Sequence, residues 1–192
     1  MKNELNNLEI FSKRLKDPVQ WLSKAVELIS VADILKNKLD FHWKKVSDEK
    51  GKIIFDNNMA TMQGVYYMLM AFAIENFCKA IIVGRKMKEW EAMTLSKIPK
   101  VLKNHDLFDL VKNEIGLRVD VAEQILLKKL SRYATWHARY PTPTVADSIG
   151  KEKLSDGLEY SLGFVASFDL DGIMDFIGCL RILIKTELGR DI

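Results

Sequence analysis

The stretch that decides the fold reads VYYMLMAFAIENFCKAIIV and runs from Val65 to Val83. It lies inside a predicted helix from about Met59 to Arg85, on which apolar side chains cover most sides. A helix that is apolar nearly all round is usually the central helix of a bundle. We therefore predict an all-α fold, an antiparallel helical bundle in which the other helices pack around this one.

The few polar residues in this helix need partners, because burying a lone charge is costly. Glu75 and Lys79 stand one helical turn apart, in the order that favours an ion pair. The spacing therefore predicts that these two residues neutralise each other and serve a structural role.

Upstream of the central helix, Asp17-Pro18 marks a helix start, since Asp caps a helix and Pro fits its first turn. An apolar stripe from Leu22 to Leu39 follows at helical spacing. The polar segment from Lys44 to Asn58 is predicted to be a loop.

Downstream, residues Lys86 to Asn104 are predicted to be a solvent-exposed connecting segment. His105-Asp106-Leu107 then opens a short helix that reaches Ile115 and is closed by Gly116. We assign His105 and Asp106 structural polar roles, alongside Glu75 and Lys79.

Asp120 begins a capping box, and the helix that follows is predicted to run to about Arg139, ahead of Pro141. Residues 144–168 are predicted to be irregular, with a short helix or an edge strand near Glu159. A final helix, capped by Asp169 and covering 169–188, closes the bundle. The prediction is a single domain of five helices with its core at about 18–143.

Composition agrees with one ordinary globular domain: 192 residues, 48% hydrophobic and 29% charged, with a net charge of +3. Cys78 and Cys179 both lie in apolar helical patterns and are expected to be small core residues. The first residues lack a signal-peptide pattern, and the apolar run from Gly64 to Ile74 is too short to span a bilayer. We expect a cytoplasmic protein with no membrane partner.

Several kinds of site find no support in the sequence. The histidines, His42, His105 and His137, are too far apart for a spaced metal motif, so no metal is expected. Neither a phosphate-binding glycine loop nor a nucleophile elbow is present, and no cofactor is expected.

The helix that ends near Pro141 carries the remaining candidate chemistry. At about 100° per residue, His137 falls with Leu130 on the apolar side of an α-helix, and Arg132 lies about 140° away from it. Arg132, Trp136 and Arg139 share another face, which could stack a base and hold phosphates. The same face could equally pair with acidic residues of a neighbouring helix or cover apolar surface.

Three short motifs occur in the order seen in the HEPN family (higher eukaryotes and prokaryotes nucleotide-binding domain), and the sequence from about Pro18 to Pro143 resembles that family. Glu75 and Lys79 are similar to its E-x-x-x-K signature, and His105-Asp106-Leu107 resembles the H-D-L of its next helix. Ala138-Arg139-Tyr140-Pro141 resembles the "RYP" ending of one branch.

The resemblance implies a homodimeric helical bundle that binds RNA or nucleotides, with Arg132, Trp136, Arg139 and Tyr140 at the ligand. Many members are metal-independent endoribonucleases with an R-x(4–6)-H motif, and the spacing of Arg132 and His137 fits this motif. By this resemblance Arg132 would hold the phosphate and His137 would transfer a proton. Tyr133 departs from that motif, which usually has Asn or Asp after the arginine. Members with the RYP ending often lack the nuclease motif and bind nucleotides or pair with a nucleotidyltransferase.

Three functions follow as hypotheses. The leading one is a dimeric module that binds RNA, a nucleotide or a partner protein, in a toxin–antitoxin or defence system. The first alternative is a ribonuclease that uses Arg132 and His137, and the second is a structural or assembly protein without a ligand.

Overall fold

The computed structural model describes residues 2–48, 57–137, 151–154, 157, 159–161 and 166–192. These residues form an all-α bundle, which confirms the predicted fold class. The α-helices are α1 (Lys2–Leu15), α2 (Pro18–Asp48), α3 (Asn57–Trp90), α4 (Leu107–Asp109), α5 (Val121–Arg132) and α6 (Ala166–Leu188). A 3-10 turn covers Lys100–Lys103, and π-helical turns extend α4 over Leu110–Glu114 and α5 over Tyr133–His137.

Helix α3 is the centre of the bundle, as its composition predicts. It packs along α2 over much of its length and also contacts α5 and α6. Large side chains on several sides of α3, among them Tyr66, Phe77 and Ile81, are completely buried. Burial of this kind, at about 25 cal/mol for each Å² of apolar surface, is the main force that holds the helices together.

One segment of α3 has the length and composition of a membrane-spanning helix. Within α3, the segment Met62–Trp90 is long and apolar enough to cross a bilayer by length and composition alone, with a mean hydropathy of 1.5. However, 72% of its most apolar window is buried inside the bundle. A buried central helix passes the same composition test.

Most predicted helix starts and stops are present. Asp17 accepts the N–H of Val19 at 2.9 Å, and Asp120 forms the predicted capping box with Glu123. Gly116 and Gly189 have positive φ angles of 68° and 62°, which is the left-handed conformation that commonly ends a helix. Local capping chemistry therefore places these boundaries well.

Several boundaries predicted from sequence are wrong. Helix α2 continues through Lys44–Asp48, a stretch without Gly or Pro to end a helix, and α3 continues past Arg85 to Trp90. The rest of the predicted loop, residues 49–56, lies outside the described part of the chain. Helix α6 starts at Ala166, so Asp169 lies inside it instead of capping it. Helix α1 was not predicted at all, because most of its residues are polar; of its side chains from Asn6 to Leu15, only Ser12 and Leu15 are buried.

The segment near Glu159 is a strand. Lys151–Lys153 and Glu159–Ser161 form a two-stranded antiparallel hairpin, with Glu152 opposite Tyr160. Tyr160 is buried with Leu154 against Ile125 of α5, in a cluster separate from the main core. The strand alternative is therefore the correct one.

The two cysteines differ in their surroundings. Cys78 is completely buried in the core, as predicted, whereas Cys179 is exposed on α6, so its predicted core position is wrong. Both are free thiols. The apolar neighbours of Cys179 along the chain belong to the buried face of α6, and the cysteine lies on the opposite face.

Candidate functional site

A buried ion pair lies at the middle of α3. Lys79 Nζ is 2.5 Å from Glu75 Oε1, and the two side chains are only 4% and 7% exposed. Lys79 Nζ also lies 5.7 Å from the centre of the Trp21 ring, which ties α3 to α2. The pair that helical spacing predicts is thus present inside the bundle.

His105 adds a third member to this pair from a different part of the chain. Its Nδ1 lies 3.0 Å from Glu75 Oε2 and 3.1 Å from Oε1, while 59% of the imidazole side chain remains exposed. Because a carboxylate only accepts hydrogen bonds, Nδ1 carries the proton in this contact. Glu75 therefore fixes the orientation of an imidazole that solvent can reach.

A cavity of about 280 Å³ opens beside this histidine. It lies between the start of α4 and one face of α5. The residues that line it are His105, Asp106, Lys128, Ser131, Arg132 and Thr135. Two segments that sequence reasoning treated separately, the H-D-L motif and the arginine-bearing helix, therefore meet at one site.

The α5 side of the cavity is a polar stripe. Lys128, Ser131, Arg132 and Thr135 are spaced by three, four and seven residues, so they share one face of the helix. Ser131 Oγ accepts the N–H of Leu107 at 2.9 Å and donates to the carbonyl of Leu127 at 2.8 Å. Ser131 thereby fixes α4 against α5 at the edge of the cavity.

Asp106 lies on the α4 side of the cavity. This residue caps α4, because its Oδ1 accepts the N–H of Asp109 at 3.1 Å. Asp106 lines the same cavity as Lys128 and Arg132. With two permanent cations and one carboxylate, the cavity suits a ligand that carries both negative charge and hydroxyl donors.

The structure brings together only part of the predicted ligand-binding set. Arg132 lines the cavity, whereas the side chains of Trp136 and His137 lie outside the described part of the chain, as do Arg139 and Tyr140 entirely. Residues 138–150, which include the predicted helix end at Pro141, are also outside it. The predicted shared face of Arg132 with Trp136 and Arg139 therefore has no structural description.

One geometric expectation is wrong. The separation of about 140° between Arg132 and His137 assumed an α-helix, but the backbone from Tyr133 to His137 forms a π-helical turn. A π turn bonds residue i to residue i+5, so position 137 comes closer around the axis to position 132. The two positions therefore lie nearer to one face than α-helical counting suggests.

Tyr133, the residue that departs from the nuclease motif, packs inward. Its ring meets that of Tyr67 edge-on at 5.3 Å, and Tyr67 meets Tyr66 in the same way at 5.5 Å. An aromatic residue at this position therefore contributes to packing rather than to the polar lining of the cavity.

Sequence reasoning missed Lys128, Ser131 and Thr135. The signal was available, because their spacing with Arg132 is the helical repeat that marks one face. His105 and Asp106 were assigned only structural roles, and nothing in a single sequence shows that they approach α5.

Comparisons with known proteins give no match: no family model, no curated protein and no solved structure is similar to this chain.

Proposed function

We propose that this protein is a HEPN-like helical module that binds RNA or a nucleotide in the cavity between α4 and α5. The observation that carries the proposal is the meeting of Arg132 and Lys128 with His105 and Asp106 around one opening of about 280 Å³. His105 and Asp106 belong to the H-D-L segment that resembles the family, and Arg132 is the arginine of the nuclease-like spacing.

The chemistry of the lining fits a phosphate joined to a sugar. The guanidinium of Arg132 can hold a phosphate through two parallel hydrogen bonds, and Lys128 adds a second positive charge. The carboxylate of Asp106 can accept a hydrogen bond from a ribose hydroxyl. A cavity of about 280 Å³ is at the small end of ligand sites, so it suits one phosphate and its sugar better than a larger cofactor.

Binding is tested with Arg132→Ala and a fluorescently labelled RNA of about eight nucleotides. The variant should lose at least tenfold in affinity and show a shallower salt dependence, because one phosphate contact is gone. Arg190→Ala is the matched control, since Arg190 is exposed and does not line this cavity. Equal affinities for the two variants would refute the cavity as the binding site.

The homodimer and the nucleotidyltransferase-like partner are proposals that rest on the family resemblance. Light scattering on the purified protein should give twice the chain mass of 22.1 kDa. A monomer at micromolar concentration would remove the dimer from the proposal without affecting the cavity. A protein that binds no nucleotide or RNA in any assay would favour the structural or assembly alternative.

The second candidate is a metal-independent ribonuclease, and two observations favour it. His105 is oriented by Glu75 and lines the same cavity as Arg132, so an imidazole is placed beside a phosphate-binding arginine. The π turn also brings position 137 toward the angular position of Arg132. Tyr133 stands where the nuclease motif usually has a polar residue, and its ring packs inward against Tyr67. For this reason we rank the binding module above the ribonuclease.

Incubation of labelled RNA with the protein in EDTA separates the two functions. A nuclease should cleave under chelation, and His105→Ala and His137→Ala then show which imidazole transfers the proton. The variant that loses cleavage but keeps its affinity for RNA would identify the histidine that transfers the proton. RNA that stays intact at high protein concentration, while still bound, would leave the binding module as the function.

A further inference from the structure

Phe108 lies next to the cavity, two residues after Asp106 and within α4. Its ring is half-buried and packs against the core. Two ammonium groups also reach it: Lys112 Nζ lies 5.2 Å and Lys128 Nζ 5.7 Å from the ring centre. Lys128 also lines the cavity, so one side chain joins the ring to the cavity.

Two positive charges on a single ring repel each other, and each gains only about 0.5–1 kcal/mol from the ring at a solvent-exposed site. A polyanion relieves this repulsion, because its phosphates can bind both ammonium groups. The ring is then available to a base, and base–aromatic stacking tolerates any sequence since every base has a π face.

We infer that Phe108, Lys112 and Lys128 form a stacking platform that extends the cavity and selects a single-stranded oligonucleotide over a mononucleotide. This inference rests on the proposed function, because the platform binds the nucleotide adjacent to the one whose phosphate Arg132 holds. A duplex cannot use the platform in this way, since its bases are already stacked on each other.

The platform is held rigidly relative to Arg132. Asp106 caps the helix that carries Phe108, and the side chains of Asn104 and Asn113 both donate to the carboxylate of Asp109. The N–H of Leu107 donates to Ser131 Oγ on α5, directly before Arg132. A ring on such a braced turn loses little conformational freedom when a base stacks on it.

The test measures the affinity of labelled octauridylate by fluorescence anisotropy at fixed low salt, with competition by uridine monophosphate. Phe108→Leu should weaken octauridylate binding about tenfold and leave the monophosphate within twofold. Phe108→Tyr should retain both affinities, because it preserves the ring. A G·C-rich RNA duplex, which stays paired at low salt, should bind wild-type protein and Phe108→Leu equally.

A second variant guards against loss of folding, since Phe108 packs on the core. Lys112→Gln changes only an exposed side chain and should weaken octauridylate severalfold while sparing the monophosphate. Lys38→Gln, at an exposed position on α2, is its control and should change neither affinity. If Phe108→Leu and Lys112→Gln both bind octauridylate as wild type does, the platform is wrong. If wild-type protein binds neither probe, the proposed function itself fails.

Discussion

At Glu75, one buried carboxylate pairs with the ammonium of Lys79 and also accepts the imidazole N–H of His105. Two parts of the chain that are 30 residues apart are therefore joined through a single charged group. Removing one partner of a buried pair is costly because the other charge stays behind without compensation.

We therefore expect Glu75→Gln to lower the free energy of unfolding by about 3–5 kcal/mol. Glu27→Gln provides the control, because the Lys24–Glu27 pair is exposed, with side chains 57% and 63% accessible. That variant should change stability by less than about 0.5 kcal/mol. Urea denaturation measures both, and similar losses in the two variants would contradict the structural role of Glu75.

The thiol of Cys78 gives a pH prediction. Burial raises the pKa of Cys78 from 9.0 to about 12, with a further contribution from the nearby Glu75 charge. The unfolded chain then releases this proton at lower pH than the folded chain, so stability falls as pH rises above about 9. The slope from this one group is at most about 1.4 kcal/mol per pH unit.

Denaturation curves collected between pH 8 and pH 11 should therefore show a weaker alkaline loss of stability in Cys78→Ala than in wild-type protein. Cys179→Ala is the control, since that thiol is exposed. It should keep the wild-type slope. Identical slopes in the two variants would show that Cys78 does not titrate differently in the folded state.

At the level of single residues, the sequence predicted the Glu75–Lys79 pair, because both members lie on one helix at fixed spacing. It also singled out Arg132. It could not predict the contact of His105 with Glu75, which depends on how a loop folds back across α3. Long-range contacts of this type leave no periodic signal in one sequence.

Among the elements, α5 depends most clearly on its first residue. Asp120 accepts the N–H of Glu123 at 2.8 Å, and Glu123 accepts the N–H of Asp120 at 2.8 Å. This reciprocal pair satisfies two backbone donors that the helix start would otherwise leave open. The cap also fixes where the polar stripe of α5 begins.

Asp120→Ala should accordingly cost about 1 kcal/mol of stability. Asp175→Ala is a suitable reference, because Asp175 is exposed within α6 and caps no helix. Thermal unfolding followed by circular dichroism should show a lower midpoint for Asp120→Ala alone. A loss of the same size in Asp175→Ala would indicate a general charge effect and not a cap.

Element boundaries were predictable where capping chemistry is local, as at Asp17, Gly116 and Asp120. They were missed where a helix is mostly polar, as in α1 and at the end of α2, because polar residues dominate these stretches. The π turn after Arg132 also left no signal, since its residues suit an α-helix equally well.

For the whole molecule, Arg85 connects three parts of the bundle. From α3 its guanidinium bonds to Glu187 of α6, with Nε 2.7 Å from Oε2, and to the carbonyl of Ile115 at 2.9 Å. Only a planar group with several N–H donors can make these contacts together. The ends of α3, α4 and α6 therefore share one side chain.

Replacement by lysine keeps the charge but cannot span both partners. Arg85→Lys should thus lower the free energy of unfolding by about 1 kcal/mol, a value reduced because the side chain is partly exposed. Arg190→Lys, at an exposed position near the end of the chain, should have no measurable effect. Urea denaturation of the two variants measures this difference. Equal unfolding midpoints for Arg85→Lys and Arg190→Lys would show that Arg85 does not stabilise the bundle through these contacts.

The all-α bundle as a whole was predictable because its central helix is apolar on most sides, and only a surrounding layer of helices buries such a surface. The positions of the surrounding helices were not predictable, since many arrangements bury the same area. The cavity between α4 and α5 could not be predicted for the same reason, because it depends on where these two helices lie.

The π turn over Tyr133–His137 makes the end of α5 tolerant of a change in length. It fits one more residue into the turn than an α-helix does, because each N–H bonds to the carbonyl five residues back instead of four. Deleting one residue here would let α5 continue as an ordinary α-helix through nearly the same angle, since four residues at about 100° each complete the turn that five complete in the π form. The direction in which α5 ends is therefore kept when one residue is lost at this point, whereas a deletion earlier in α5 would rotate the end of the helix by about 100°.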